Sequence, residues 1–130
     1  MLVVDASVAV PACRVEDGFD ELRDDNLVAP WRMWSEARSA LHEAAWRGAL
    51  SNEDAVAAHE RLEASRVRPR GHRRLGREAW RIADELGWAK TYDSEYVALA
   101  ALLGCRLVTL DARLRRGADR LGLVVSPAEL

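Results

Sequence analysis

The chain has 130 residues, of which 49% are hydrophobic, and a formal net charge of −2 at pH 7. A domain near this size buries roughly two-thirds of the surface of its unfolded chain, so we expect one globular domain over residues 1–130 without stabilising disulfides. No apolar run reaches about 18 residues and the two cysteines match no metal-ligand spacing, which excludes a membrane span and predicts a cytoplasmic protein with reduced thiols.

Short apolar runs alternate with helical patterns along the chain. Residues 2–4, 27–29, 107–110 and 123–125 form such runs and predict β-strands, and a weaker strand is predicted near Val67. Strands that alternate with helices favour βα units and a parallel sheet. No repeat, low-complexity tract or linker interrupts this order, so we place no internal domain boundary.

Four segments have the pattern of helices. Ser51 begins a capping-box pattern that opens a helix running to about Ala64, and residues 92–103 form another helix. Two further helices, over residues 33–48 and 75–86, are amphipathic. Their predicted buried faces consist of Met33, Ala37, Ala40, Leu41 and Ala44 in the first, and of Leu75, Ala79, Ile82, Ala83 and Leu86 in the second.

Two of the predicted strands end in an aspartate. Asp5 ends the first apolar run in "MLVVDAS", and Asp111 ends the later run in "RLVTLDARL". In an open parallel sheet, ligands bind beyond the carboxyl ends of the strands, so we expect both carboxylates at a functional edge. Two more acids are placed to join them: Glu36 in the first turn of its helix, and Asp93 at the start of another.

Converging carboxylates require a positive partner. Two of them about 4 Å apart would repel by about 4 kcal/mol at an effective dielectric of about 20. Oxygen ligands without a nearby His or Cys favour Mg²⁺ or Mn²⁺ over zinc, and such a centre accepts phosphate oxygens. The pattern predicts hydrolysis of a phosphodiester by a metal-activated water, with Ser7 orienting a carboxylate or a water. Each acid taken alone also fits an ordinary role as a turn, cap or first-turn residue.

Taken together, four segments resemble the PIN domain, and specifically the VapC-type toxins of bacterial toxin–antitoxin pairs. They are "LVVDASV", "APWRMWSEARSAL", "TYDSEYVALA" and "LVTLDARL", and they span nearly the whole chain. The resemblance implies a three-layer α/β/α fold whose parallel sheet has about five strands, in the order 3-2-1-4-5. It also implies a metal-dependent endoribonuclease with Mg²⁺ or Mn²⁺ as cofactor.

The resemblance also assigns roles to residues of this chain. Asp5, Glu36, Asp93 and Asp111 match the acidic quartet that binds the metal and performs catalysis in that family, and Ser7 matches the hydroxyl residue after the first Asp. The family often has a further acid after the last motif, where this chain has Asp119; we do not count it as a ligand. Glu43 lies two helical turns past Glu36 and is expected to be a solvated helix residue.

Products and partners follow from the same resemblance. Water, rather than the ribose 2′-hydroxyl, is the implied nucleophile, which leaves a 5′-phosphate and a 3′-hydroxyl. The implied partners are RNA, a second subunit in a homodimer, and a cognate antitoxin whose C-terminal segment occupies the active-site groove; no membrane is involved. Most of the five tryptophans are expected in the core, but Trp46, with Trp31 and Trp34, is expected in an exposed patch that a partner covers.

Arginines give a second indication of an RNA partner. Arg73, Arg77 and Arg81 lie opposite the predicted apolar face of their helical segment. Arg113 belongs to a second basic group nearer the C-terminus. Arginine forks bind phosphate oxygens, so we expect these side chains to bind RNA. The sequence leaves open the alternative that they form a solubilising helix face paired with acids of the same helix.

Two other classes of protein fit parts of the pattern. A receiver-like phosphoacceptor domain has a similar length and acids at strand ends. It typically has paired acids before its first helix and a lysine after its last strand, whereas the only lysine here is Lys90. The other class is a catalytically silent PIN-fold module that binds RNA or protein, against which the intact acids argue.

Overall fold

A parallel five-stranded sheet forms the centre of the computed structural model, which describes all 130 residues. The strands follow the order β3-β2-β1-β4-β5, and each neighbouring pair is parallel. They are β1 (Leu2–Val4), β2 (Leu27–Ala29), β3 (Arg68–Pro69), β4 (Arg106–Val108) and β5 (Val124–Val125).

Six α-helices flank the sheet: α1 (Ala6–Cys13), α2 (Arg32–Trp46), α3 (Asn52–Glu63), α4 (Leu75–Leu86), α5 (Tyr92–Leu103) and α6 (Ala112–Ala118). Helices α1, α2 and α3 pack on one another, while α4 packs on α5, and α5 lies against β1 and β4. Short 3₁₀ turns cover Gly18–Leu22, Asp119–Leu121 and Pro127–Glu129. The predicted three-layer α/β/α fold is confirmed, and so is the predicted strand order.

The middle strand, β1, is covered on both faces. Leu2, Val3 and Val4 are each at most 1% exposed. An unbroken aliphatic run, rather than an alternating one, is typical of a parallel strand that helices cover from both sides. Asp5, the residue that follows this strand, therefore lies midway along the edge formed by the carboxyl ends of the five strands.

Three of the four predicted helices form where their patterns place them. Helices α4 and α5 have the predicted bounds, and Gly104 ends α5 in the left-handed conformation (φ 65°). The Ser51 hydroxyl accepts the backbone N–H of Asp54 at 3.0 Å, as expected for the cap of α3. The weak strand predicted near Val67 is β3, at the edge of the sheet.

Helix α2 differs from the prediction in its start and in its buried face. It begins at Arg32, so Glu36 lies in its second turn and not in the first. Ala40 is exposed, and the buried stripe is limited to Met33, Ala37 and Leu41. These three positions follow one i, i+4 row, which is the narrow strip that α1 and α3 cover.

Helix α1 lacked a recognisable signal in the sequence. Its residues, ASVAVPAC, are apolar around most of the helix and include Pro11, which has no backbone N–H to donate. The buried positions are Ala6, Val8, Ala9 and Cys13. A helix of small apolar residues has no amphipathic pattern, so the sequence did not predict α1. In the structure α1 packs against α2 and α3.

The tryptophans are less buried than expected. Trp31, Trp46 and Trp80 are exposed, with Trp46 84% exposed, so the expectation that most tryptophans are in the core is wrong. Trp46 is exposed as predicted, and the rings of Trp31 and Trp34 lie 6.2 Å apart. Both cysteines are free thiols. None of the helices has the length and hydropathy needed to span a bilayer.

Candidate active site

The register of the sheet brings together the residues that follow β1 and β4. Val4 pairs with Val108, so Asp5 and Thr109 leave the sheet side by side. The backbone N–H of Asp5 donates to the Val108 carbonyl at 3.2 Å, which continues the ladder by one residue. Asp5 is 5% exposed and Thr109 is 1% exposed. The edge of the sheet thus holds a buried carboxylate against a buried hydroxyl.

Two hydroxyl groups hold one oxygen of the Asp5 carboxylate. Thr109 Oγ1 donates to Asp5 Oδ2 at 2.6 Å, and Ser7 Oγ donates to the same oxygen at 2.7 Å. Each hydroxyl in turn accepts a backbone N–H: Ser7 Oγ that of Leu110 at 2.9 Å, and Thr109 Oγ1 that of Asp111 at 3.0 Å. Because both hydroxyl protons are used on Oδ2, the carboxylate is fixed in orientation and the loop after β4 is tied to the start of α1.

The other oxygen of Asp5 is free. Oδ1 has no hydrogen-bond partner in the protein. Ser65 Oγ is the only side-chain polar atom that is both fully buried and without a partner, so Asp5 Oδ1 is not fully buried. Oδ1 of Asp5 therefore keeps contact with solvent. A carboxylate with one oxygen held and the other accessible is oriented for a ligand that approaches from outside the sheet.

Asp111 combines a structural role with a free acceptor. Its Oδ1 accepts the backbone N–H groups of Arg113 at 2.9 Å and Leu114 at 3.2 Å, so it caps α6. The ordinary role considered for this residue in the sequence is therefore real. Oδ2 has no partner in the protein, so the cap leaves one oxygen of Asp111 available beside the Asp5 network.

Asp93 is the carboxylate on which the other acids act most strongly. It is the second residue of α5 and is half-buried. Burial, and the negative charges of Asp111, Asp5 and Glu36, raise its pKa above the usual value, while Arg113 opposes this. The raised pKa shows that the four predicted acids share one negative electrostatic environment, which a cation would relieve.

Glu36 differs from the other three acids because both of its oxygens are occupied. Arg32, one turn earlier on α2, pairs with Oε1, and the buried Tyr96 hydroxyl donates to Oε2 at 2.9 Å. Burial and the charge of Glu36 raise the pKa of Tyr96 well above its usual range, so this hydroxyl stays protonated and remains a donor. The Glu36 carboxylate is thus balanced by the protein itself.

Arg32 joins three side chains from two helices. Besides Glu36, its Nη1 donates to Glu95 Oε2 at 2.9 Å, and its guanidinium carbon lies 4.1 Å from the centre of the Tyr92 ring. Glu95 and Tyr92 are on α5, the helix that also carries Asp93. Arg32 therefore connects the start of α2 to the start of α5. It lies at the rim of the acidic centre, the name used below for Asp5, Glu36, Asp93 and Asp111 together.

A family model described as "PIN domain" matches residues 2–120 of the chain. The chain belongs to the PIN-domain family. Its curated relatives include VapC ribonuclease Mb0985 of Mycobacterium bovis and Ribonuclease VapC9 of Mycobacterium tuberculosis, each 37% identical over 119 residues, which is 88% of this chain and 88% of the relative. The crystal structure of PAE2754 from Pyrobaculum aerophilum matches with a TM-score of 0.74 at 24% identity, covering 98% of this chain and 90% of that one, so the two share a fold.

The donor set of this PIN domain fits a hard divalent cation bound through few protein ligands. Three or more acids, histidines or cysteines do not come close enough together to bind one ion at once. Mg²⁺ usually binds proteins through one or two carboxylates and keeps several waters, so a closed cage is not required. Asp5 Oδ1 and Asp111 Oδ2 are carboxylate oxygens of this kind, and Asp93 lies in the same negative environment.

The predicted arginines separate into different surroundings. Arg113 faces Asp93 across a cleft at the rim of the acidic centre. Arg81 instead pairs with Glu78 and Glu85 of α4, at 3.0 and 2.8 Å, which is the solubilising role that the sequence left open. Arg73 and Arg77 are exposed and form no ion pair.

Two demoted acids lie outside the acidic centre. Glu43 is exposed and pairs with Arg47 at 3.4 Å, as expected for a solvated helix residue. Asp119 is exposed at the end of α6 and is not among the acids that raise the pKa of Asp93.

Sequence reasoning missed four residues that organise this site. Thr109 had a usable signal, because a hydroxyl inside an apolar strand end, two residues before Asp111, needs a buried partner. Tyr96, Arg32 and Glu95 gave weaker ones, since their partners depend on how α2 docks against α5.

Proposed function

We propose that this PIN domain is a metal-dependent endoribonuclease that acts as the toxin of a toxin–antitoxin pair. The observation that carries the proposal is the Asp5 carboxylate, which has one oxygen held by two hydroxyls and the other without a partner in the protein, beside Asp93 and Asp111. The ribonuclease names of its curated relatives support the choice of RNA.

Asp5, Asp93 and Asp111 are the residues proposed to hold Mg²⁺ or Mn²⁺, one or two of them in direct contact and the rest through waters that the ion keeps. When bound, such an ion lowers the pKa of a water so that it becomes a nucleophile, and offsets the charge that grows on the phosphate. Ser7 and Thr109 hold the Asp5 carboxylate in one orientation by donating to Oδ2. Glu36 is the fourth proposed ligand. Because Arg32 and Tyr96 occupy its two carboxylate oxygens, Glu36 must lose one of these hydrogen bonds before it can bind the ion directly.

The attack proposed here needs no histidine. Water attacks phosphorus and gives up a proton to solvent, the bond to the 3′-oxygen breaks, and that oxygen takes a proton from solvent, which leaves a 5′-phosphate and a 3′-hydroxyl. None of the three histidines is among the groups acting on Asp93. Arg113, at the rim of the cleft, is placed to attract the phosphate backbone toward the acids.

The test is cleavage of single-stranded RNA by the purified protein with Mg²⁺, with Mn²⁺ and with EDTA. We expect cleavage with either ion, none with EDTA, and loss of cleavage in Asp5→Asn, because the amide is a poorer ligand of nearly the same shape. Asp119→Asn is the matched control and should cleave like wild type, since Asp119 lies outside the acidic centre. RNA binding without cleavage under every condition would instead establish a catalytically silent binding module.

A cognate antitoxin and a second copy of this chain are the proposed protein partners. Trp46 at the end of α2 and Trp31 just before its start are both exposed. Large apolar side chains on the surface mark sites where another protein binds. The toxin role predicts that expression in bacteria stops growth, and that co-expression of the small protein encoded beside it restores growth. Growth arrest that persists in Asp5→Asn would contradict a toxicity based on RNA cleavage.

A further inference from the structure

An open cleft of about 500 Å³ lies directly beside the acidic centre. Asp93 forms one wall, so the cleft and the candidate active site share a residue. The remaining wall carries two aromatic rings, Trp88 and Tyr92, and two cations, Lys90 and Arg113. The loop between α4 and α5 provides Trp88 and Lys90, the start of α5 provides Tyr92 and Asp93, and the start of α6 provides Arg113.

The stability of the fold does not account for the charges in this cleft. Lys90 is the only lysine in the chain, it is exposed, and neither it nor Arg113 takes part in an ion pair. Many arginines of the protein are also unpaired, so Lys90 and Arg113 are distinguished by lining the same cleft as Asp93. Two unpaired cations that border a group of carboxylates are arranged to attract an anion to that border.

Both rings in the cleft are held in place, Tyr92 while exposed and Trp88 while half-buried against the core. Tyr92 is 56% exposed, and Arg32 lies over one face of its ring at 4.1 Å. Trp88 packs against Gly117, where an added Cβ would lie 2.7 Å from the indole ring. Glycine at this position therefore allows the close approach of α6 that fixes the indole.

Fixed aromatic rings and free cations in one cleft match the chemistry of a nucleotide. Bases of any sequence stack on aromatic side chains, while cations track the phosphates of a single strand. Asp93 lines the cleft and is also acted on by the other three acids, so a nucleotide bound in the cleft would lie next to the proposed site of cleavage.

We propose that this cleft binds the nucleotide adjacent to the scissile phosphodiester of a single-stranded RNA, with Tyr92 and Trp88 contacting its base and Lys90 and Arg113 its phosphate. This proposal rests on the proposed ribonuclease function and adds the position of the strand to it. The attraction of Lys90 and Arg113 for phosphate also offsets the repulsion that the acids exert on RNA.

Binding in EDTA separates this subsite from catalysis. The probe is a fluorescein-labelled single-stranded RNA of fixed length, measured by anisotropy at several salt concentrations. Tyr92→Ala should weaken binding about fivefold or more, the range expected for one lost stacking contact. Lys90→Gln should weaken binding and reduce the slope of log K against log salt by about 0.7, the value for one phosphate contact on a single strand. Tyr92→Phe keeps the ring and should bind like wild type.

Two control variants change the same residue types elsewhere. Trp80→Ala removes an exposed ring of α4 that does not line the cleft. Arg14→Gln removes an exposed cation at the end of α1 that is remote from Asp5. Both should bind RNA like wild type. An abasic ribose-phosphate strand of the same length should bind Tyr92→Ala and wild type equally, because no base is left to stack.

Each outcome decides between the subsite and its alternatives. Unchanged affinity and slope in both Tyr92→Ala and Lys90→Gln overturn the subsite, and cleavage by wild type in the same preparation shows that the ribonuclease function still stands. No wild-type cleavage with metal rejects the ribonuclease function by itself, whatever the binding result. Loss of antitoxin binding in these variants, with RNA binding unchanged, would assign the cleft to a protein partner and contradict the proposal. The melting temperature of each variant checks that it is folded.

Discussion

Replacing Thr109 with valine tests whether the hydroxyl network, and not the carboxylates alone, builds the site. Valine has nearly the shape of threonine without the hydroxyl, and Thr109 is 1% exposed, so no solvent replaces the lost group. The substitution removes one donor to the Asp5 carboxylate and one acceptor for the backbone N–H of Asp111. Asp5 keeps only the hydrogen bond from Ser7.

The expected cost follows from the two bonds lost. A hydrogen bond to a charged group contributes about 1.5–3 kcal/mol and a neutral one about 0.5–1.5 kcal/mol, so Thr109→Val should lower the free energy of unfolding by about 2–4 kcal/mol. With a urea m-value of about 1–3 kcal/mol/M, the unfolding midpoint should fall by roughly 1–2 M. RNA cleavage should fall about 10- to 100-fold, the usual effect of removing a group that orients a metal ligand.

The control is Thr91→Val, which makes the same change at the only other threonine of the chain, whose hydroxyl makes no hydrogen bond in the cap of α5. Its stability should stay within about 0.5 kcal/mol of wild type. Chemical unfolding followed by circular dichroism measures both variants, and the cleavage assay is run on the folded proteins. Equal stability and equal cleavage in Thr109→Val and wild type would refute the reasoning, since neither bond would then matter.

Three further predictions test the electrostatics and the packing. Asp93→Asn should abolish cleavage and should raise the melting temperature in EDTA near neutral pH. Because burial and neighbouring acids raise the pKa of Asp93, its negative charge destabilises the fold and develops as the pH rises through that pKa. The gain in melting temperature should therefore vanish at low pH, where Asp93 is protonated. Arg81→Gln should leave RNA affinity in EDTA unchanged, because two glutamates of α4 already bind this side chain; a weaker affinity would show that it contacts RNA. Gly18→Ala should destabilise by more than about 1 kcal/mol, since its Cβ would lie 2.1 Å from the Ala12 carbonyl oxygen, whereas Gly76→Ala in α4 meets no atom within 4 Å and should be neutral or stabilising in thermal unfolding.

The parts of the site that follow from strand geometry could be predicted from the sequence. Asp5 and Asp111 come directly after apolar runs, and parallel strands end at one edge of the sheet, so both were expected at that edge. That β1 and β4 are neighbours followed from the strand order that the PIN resemblance implies. The position of Asp93 could be predicted because it lies at the start of α5, a helix whose pattern ends at Gly104. Local patterns were sufficient wherever the functional group belongs to the end of a regular element.

The surroundings of Glu36 could not be predicted in the same way. Its ion pair with Arg32 lies within one helix, but the third member, Glu95, is 63 residues away from Arg32 in the chain. Which face of α2 meets α5 depends on the docking of both helices on the sheet. The sequence placed Glu36 one turn too early in its helix, and it gave no reason to expect both carboxylate oxygens to be occupied.

The four acids are therefore not equivalent, although the sequence presents them as one set. Glu36 is balanced by a guanidinium and a phenol, and Asp5 is held by two hydroxyls that carry no net charge. Asp93 has neither kind of partner, and its pKa is raised by its burial and by the charges of the other three acids, while Arg113 opposes the rise. Asp93 also lines the cleft that contains Lys90, so a cation and an RNA phosphate that approach through this cleft would reach Asp93 first among the four acids.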